Sequence, residues 1–340
     1  MIRWAGTSCG IAWTSVLLIL PAAVRCGGDV PPPASRVYAA VYMTRGSVAG
    51  SNRGTYGAFV RDGTDTAWTK LNRSNVICFG LAYAPHGPLG TLYIAGGNGV
   101  HRSTDGGQTW KILTGWRTEE ISSIVPDAGD PGLLLAATPF GVFRSNDGGE
   151  TWLPKNSGLK RWYIRRLFPD ARNHKTLYAL AEDDLYRSLD GGEQWLPMRA
   201  GAGLPVSFAQ DPVRGQVMLL GSENDGVRRS IDGGRTWEAV ESFAGRTVLS
   251  FRFAESDSVV YAGGYGTGLW RSVDGGLRWE RLPFTVEHEG ISAMYIDPGN
   301  ADHLIVGTHG HGVYESTDRG ERWKFAGLRG GIIKQIERFP

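Results

Sequence analysis

The sequence predicts an all-β fold, a single seven-bladed β-propeller. Three observations lead to this prediction. An eight-residue motif recurs at a nearly constant interval, and four short strand-like segments lie within each interval. The chain also contains 49 glycines among 340 residues, which supply the tight turns that such a fold needs. All-β chains of this length often form one unit rather than two domains.

The repeated motif is Ser-x-Asp-x-Gly-x-x-Trp, first seen clearly at residues 103–110. A seventh, degenerate copy ends at Trp68, which lies 42 residues before Trp110. Repetition at this period is typical of propellers, so internal repeats determine the fold prediction. The six clear copies have their aspartates at Asp105, Asp147, Asp190, Asp232, Asp274 and Asp318, with steps of 42, 43, 42, 42 and 44 residues.

Each interval contains the same succession of strand-like segments, shown here for residues 121–154. Residues 121–125 alternate between apolar and polar, and residues 133–137 are entirely apolar. Two further segments follow at 141–145 and 151–154. Four short strands per repeat predict one propeller blade, whose faces are buried only against neighbouring blades.

The two ends of the chain predict how the ring closes. Residues 37–42 match the second strand of the repeat, whereas residues 332–336 match a first strand. We therefore expect the C-terminal strand to complete the first blade and remove the open sheet edges.

The aspartate of the motif suits a structural role in a turn. Its carboxylate can accept hydrogen bonds from backbone N–H groups that a tight turn leaves unpaired, and the tryptophan can cover the turn. One carboxylate per turn supplies too few oxygen ligands for calcium. The motif resembles the Asp-box (BNR) repeat over residues 57–325. That resemblance implies six Asp-box turns between third and fourth strands, away from the ligand-binding face.

The N-terminal part differs from the repeats. Residues 1–28 include the apolar run 11–24 and are predicted to be a signal peptide or a membrane anchor. Residues 29–35 form a Pro-rich linker, and residues 36–340 form the propeller. Cys26 is a candidate lipidation site, although Arg25 departs from the usual lipoprotein pattern. We expect an exported protein, periplasmic or extracellular, that is either released or anchored at its N-terminus.

Candidate functional residues lie in the loops between second and third strands and in the links between blades, which share one face of a propeller. The candidates for a glycosidase are Glu119, Asp183 and Asp184, as general acid and nucleophile. The binding candidates are basic, aromatic and histidine residues: Arg117, Arg161, Arg165, Trp162, Tyr265, His309 and His311.

Proteins with Asp boxes include sialidases, two-propeller xyloglucan hydrolases, sortilin-type receptors and photosystem II assembly factors. Sialidases carry a Phe/Tyr-Arg-Ile-Pro segment, from which the nearest segment here, residues 41–46, departs. In length, blade number and export signal, the chain is most similar to the assembly factors. The resemblance implies a non-catalytic scaffold that binds a protein or assembles a complex. The alternative is a glycoside hydrolase, sialidase-like, or a glycan-binding propeller.

Composition limits the partners. The formal net charge is +2, which gives no reason to expect nucleic acid as a ligand. We expect a protein partner in the cell envelope or a glycan, contact with a membrane only through the N-terminal segment, and a monomer outside any complex. No cofactor and no metal are expected.

Overall fold

The structure is a computed structural model that describes residues 36–44, 56–62, 67–71, 76–114, 120–255, 257–284 and 290–339. Within these ranges the chain forms seven antiparallel sheets of four strands each and one short 3-10 helix, Glu241–Phe243. The predicted all-β, seven-bladed propeller is therefore confirmed.

The first blade contains β1 (Arg36–Thr44), β2 (Gly57–Asp62), β3 (Thr69–Lys70) and β28 (Gly331–Phe339). The second contains β4 (Cys78–Ala84), β5 (Thr91–Gly96), β6 (Gly99–Ser103) and β7 (Lys111–Ile112). The third contains β8 (Ser123–Pro126), β9 (Leu134–Thr138), β10 (Gly141–Ser145) and β11 (Leu153–Pro154). The fourth contains β12 (Ile164–Pro169), β13 (Leu177–Ala181), β14 (Leu185–Ser188) and β15 (Leu196–Pro197).

The fifth blade contains β16 (Leu204–Gln210), β17 (Met218–Glu223), β18 (Val227–Ser230) and β19 (Glu238–Val240). The sixth contains β20 (Ser250–Phe253), β21 (Val260–Gly264), β22 (Gly268–Ser272) and β23 (Glu280–Arg281). The seventh contains β24 (Ile291–Asp297), β25 (Asn300–Thr308), β26 (Val313–Ser316) and β27 (Lys324–Gly327).

The ring closes through the first blade, as the sequence predicts. Strand β28 pairs antiparallel with β1, from Arg36 opposite Phe339 to Thr44 opposite Gly331. The last strand of the chain thus becomes the innermost strand of the blade that starts the chain.

Antiparallel order gives the propeller two different faces. The first and third strands of a blade run the same way, so the turns that follow them lie on one face, here called the turn face. The loops between second and third strands, and the links between blades, lie on the other face, the loop face. Because β1 is a second strand, Arg36 begins it on the turn face.

Hydrophobic residues fill the interfaces between neighbouring blades. In the described part of the chain, seven buried clusters each join two adjacent blades, including the pair formed by the seventh and first. Between the third and fourth blades, Tyr186 and Trp195 are fully buried against Leu135 and Val142. A blade therefore buries its apolar faces only when both neighbours are present.

The aspartates of the repeated motif hold the turns of the turn face. In the third blade, Asp147 accepts hydrogen bonds from the Ser145 hydroxyl at 2.7 Å and the Thr151 amide at 2.9 Å. The Ser145 oxygen in turn accepts from the Gly149 amide at 2.8 Å. All six copies repeat this serine, aspartate and glycine pattern.

Hydrogen bonding also lowers the pKa of each of these carboxyls. The pKa of Asp105 falls to about 2, first because of the Thr109 hydroxyl and then because of the Thr109 amide. The last turn differs, since Arg319 stands where the other copies have glycine and adopts a φ of 60°. Its guanidinium donates to Asp302 at 2.6 Å, an ion pair that accompanies the unfavourable backbone conformation.

A buried charge network joins the first blade to the seventh. The Arg61 guanidinium lies 3.2 Å from the Glu315 carboxylate, with side chains 2% and 11% exposed. His303 lies 2.5 Å from Glu315 through Nε2 and 3.5 Å from Asp297 through Nδ1, and Arg338 contacts Asp297. The hydrogen bond from His303, and then the charge of Arg61, lower the pKa of Glu315 to about 2 against the effect of burial.

Removal of β28 tests whether this strand closes the ring. A chain that ends at Gly331 lacks most of β28, so β1 keeps β2 but loses its inner partner, and the clusters on both sides of the first blade open to water. We expect loss of cooperative thermal unfolding or a large fall in Tm, measured by circular dichroism. Unchanged Tm in the truncated chain would contradict the closure by β28.

The buried charge network between the first and seventh blades provides a second, electrostatic test of ring closure. Glu315→Gln leaves the buried Arg61 without a counter-charge, so the free energy of unfolding should fall by about 3 kcal/mol at neutral pH. Because the folded-state pKa of about 2 lies below the ordinary 4.5, Glu315 stabilises above pH 4.5 and this contribution is lost as pH falls through about 2. The difference in the free energy of unfolding between wild type and variant should therefore shrink as pH falls from 4.5 to about 2.

Urea denaturation at several pH values measures this difference. The matched control is Glu280→Gln, which removes an exposed partner of Arg271 and should cost less than about 1 kcal/mol. Equal losses in the two variants would show that the buried network has no special role.

Candidate functional site

The link between the third and fourth blades presents an aromatic and basic segment on the loop face. Leu159 is buried before it and Ile164 after it, so the backbone is held at both ends. Between them, Arg161 is exposed, Trp162 is 57% exposed and Tyr163 is 40% exposed. The segment therefore offers large side chains from a fixed backbone.

A hydrogen-bond chain anchors this link to the fourth blade. The Lys160 amide donates to the Tyr186 hydroxyl at 3.3 Å, and that hydroxyl donates to Asp183 at 2.8 Å. Burial and the hydrogen bond to Asp183 raise the pKa of Tyr186 to about 12. The Tyr186 hydroxyl thus stays protonated and can donate to Asp183 throughout the physiological range.

The acidic loop of the fourth blade is engaged with backbone groups. Asp184 accepts hydrogen bonds from the Arg199 amide at 2.9 Å, the Ala200 amide at 3.3 Å and the Leu185 amide at 2.8 Å. The bonds from Arg199 and Ala200 hold the link between the fourth and fifth blades against the loop that contains Asp184. Glu119, the proposed partner of Asp183 and Asp184, lies outside the described residues, so the glycosidase pair stays a prediction.

Other predicted binding residues come together between the sixth and seventh blades. The rings of Tyr265 and His309 meet edge to face with centroids 5.0 Å apart. The His309 amide donates to the Gly290 carbonyl at 2.8 Å, and the His311 amide donates to the Thr308 hydroxyl at 3.0 Å. Among the described residues, no group of three His, Cys, Asp or Glu side chains has the arrangement of a metal site.

Arg165 lies near the inner end of the Trp162 segment. Its guanidinium stands 5.4 Å from the centroid of the Tyr163 ring, and its buried Nε has no hydrogen-bond acceptor among the described residues. Arg117 and Cys26 lie outside the described ranges, so their predicted roles stay predictions.

The innermost strands of the seven blades surround a central channel with a volume of about 490 Å³. Both charged and apolar side chains line it. Arg252 forms an ion pair with Glu337 across the channel at 3.2 Å, and its guanidinium lies 5.6 Å from the Tyr295 ring. Glu255 lines the end of the channel at the turn face.

Two further cations line the channel without a carboxylate within ion-pair distance in the part of the chain that the structure describes. Desolvation lowers the pKa of Arg166, and Glu337 and Arg252 act on it in opposite directions. Desolvation, followed by the charge of Arg165, lowers the pKa of Lys334. The Lys334 ammonium stands 5.2 Å from the Tyr42 ring near the loop-face end.

The binding candidates taken from the sequence include Arg165, next to the channel, but neither Arg252 nor Lys334 of the channel wall. The signal was present in the alignment of the repeats, since the corresponding first-strand positions elsewhere hold small or apolar residues such as Ser122, Val206 and Ser292. Arg165, Arg166 and Lys334 interrupt that pattern. Two of them lie at a bulge of the innermost strand: Arg165 lies between the paired residues Ile164 and Arg166, and Lys334 between Ile333 and Gln335.

No protein-family model and no curated protein matches the chain. Solved structures do match. The GH74 xyloglucanase from Xanthomonas campestris is 18% identical, with a TM-score of 0.66, over 90% of this chain and 52% of that chain. YCF48 from Cyanidioschyzon merolae is 18% identical, with a TM-score of 0.57, over 77% of this chain and 88% of that chain.

A structure of YCF48 bound to D1 peptide is 17% identical, with a TM-score of 0.54, over 69% of this chain and 78% of that chain. The present chain spans about half the length of the xyloglucanase and about two fifths of two other GH74 enzymes. At these identities the similarity establishes the propeller fold. In the described ranges no helix is long and apolar enough to cross a membrane.

Proposed function

We propose that the chain is a non-catalytic, exported propeller that binds a protein partner through its loop face and serves as an assembly scaffold. The observation that carries the proposal is the anchored segment with Arg161, Trp162 and Tyr163. Exposed aromatic residues and arginine are the types enriched in protein–protein interfaces. Because both ends of the segment are fixed, little conformational entropy is lost when a partner binds.

The similar structures support this proposal at the level of the fold. A propeller with similar blades, YCF48, has been solved with a bound peptide, and this chain covers most of its length. The repeated turns further support membership of the Asp-box propellers, which we propose on the motif and its hydrogen bonds. Export, with an N-terminal signal or anchor before Arg36, is also part of the proposal and rests on the apolar run 11–24.

The alternative is a propeller that binds or hydrolyses a glycan. It is favoured by the similarity to GH74 xyloglucanases and by Trp162, since an exposed tryptophan ring can stack on a sugar. Against hydrolysis, Asp183 and Asp184 are occupied by hydrogen bonds that hold the loop and the neighbouring links.

Partner capture tests the scaffold proposal. Cell-envelope proteins are passed over the immobilised chain, over an Arg161→Glu/Trp162→Ala variant, and over a control with Lys175→Glu/Leu189→Ala on the turn face. We expect a defined protein to be retained by wild type and control, and retention to fall at least about tenfold in the loop-face variant, as for loss of interface anchors. Equal retention by all three would remove this segment from the interface.

Hydrolysis is tested on the same proteins with xyloglucan oligosaccharides, fluorogenic sialosides and β-glucosides. We expect no turnover. Turnover that disappears in Asp183→Asn or Asp184→Asn, with Tm unchanged, would overturn the scaffold proposal in favour of the glycosidase.

A further inference from the structure

We propose that the central channel is a binding site for a free inorganic oxyanion, such as phosphate or sulfate, held by Arg166 and Lys334. This inference does not depend on the proposed protein binding, because the channel residues are distinct from the exposed segment around Trp162.

The proposal rests on the charged residues that line the channel. Arg166, Arg252 and Lys334 line the channel together with the two carboxylates Glu255 and Glu337. Glu337 is engaged by Arg252 at 3.2 Å, and Glu255 is an exposed residue at the turn-face end. In the described ranges, Arg166 and Lys334 therefore have no carboxylate within ion-pair distance, while Arg165 adds a further positive charge that acts on Lys334.

The ring geometry places these charges around one channel. Arg166 belongs to the fourth blade and Lys334 to the first, so they lie on opposite parts of the channel wall. Neither side chain has a hydrogen-bond acceptor among the described residues. Partly buried cations repel each other more strongly than exposed ones because less water screens them. Besides desolvation, the charge of Arg252 lowers the pKa of Arg166, and the charge of Arg165 lowers the pKa of Lys334. A multivalent anion in the channel would accept hydrogen bonds from Arg166 and Lys334 and offset this repulsion.

The donor set selects an oxyanion over a simple halide. A guanidinium offers two parallel N–H groups that match adjacent oxygens of phosphate or sulfate, and an ammonium supplies a point charge for the remaining oxygens. The volume of about 490 Å³ leaves room for the anion with bound water.

Thermal unfolding with inorganic phosphate, sulfate or chloride at constant ionic strength tests the site. We expect phosphate and sulfate to raise Tm saturably, by about 2–4 °C at ten times Kd, and chloride to have no such effect. In Arg166→Gln and Lys334→Met, calorimetric phosphate binding should weaken about tenfold or more, as for loss of a charged hydrogen bond. The matched control Arg161→Gln removes one exposed charge and should bind phosphate like wild type.

A second readout does not depend on ligand binding. In chloride alone, Lys334→Met should unfold at a higher temperature than wild type, since it removes an unpaired cation from the channel. The proposal is overturned if phosphate gives no saturable effect, if the channel variants and Arg161→Gln respond alike, or if only a phosphoserine peptide binds. The Trp162→Ala variant should keep the phosphate response, so failure of the protein-binding proposal remains distinguishable.

Discussion

The pairing of β28 with β1 is the constraint on which the rest of the molecule depends. Every blade buries its apolar faces only against its neighbours, so an open chain of seven blades would leave two faces in water. The C-terminal strand prevents this by entering the first blade, and it brings the seventh blade into contact with the first. Arg61 and Glu315 then add a buried ion pair to an interface that is otherwise apolar. The central channel exists for the same reason, because its wall closes only when the ring does.

The sequence predicted the architecture because the repeated features are local. The spacing of the Ser-x-Asp-x-Gly-x-x-Trp turns determines the number of blades, and the predicted segments 141–145 and 151–154 overlap the observed β10 and β11. The channel could not be predicted in the same way. Arg166, Arg252 and Lys334 come from three different blades, and only the ring geometry brings them to the wall of one channel. The roles of Asp183 and Asp184 depend likewise on Tyr186 and on a backbone link that no local pattern reveals.

The two faces of the propeller differ in how their polar groups are satisfied. On the turn face, each motif aspartate accepts hydrogen bonds from the serine and the amides of its own turn. The six equivalent carboxylates therefore have the same structural role. On the loop face, Asp183 and Asp184 hold the links before and after the fourth blade through hydrogen bonds, while Trp162 and Arg161 are exposed to solvent. Repetition thus serves stability, whereas the residues that depart from the repeat give the loop face its exposed aromatic and basic side chains.

The position of Arg36 has a directional consequence. Since β1 begins on the turn face, any segment that precedes it joins the body on the side of the aspartate turns. Trp162 and the Lys334 end of the channel lie on the opposite face from this junction. The entry of the chain into the ring and its exposed aromatic segment therefore occupy separate faces of the molecule.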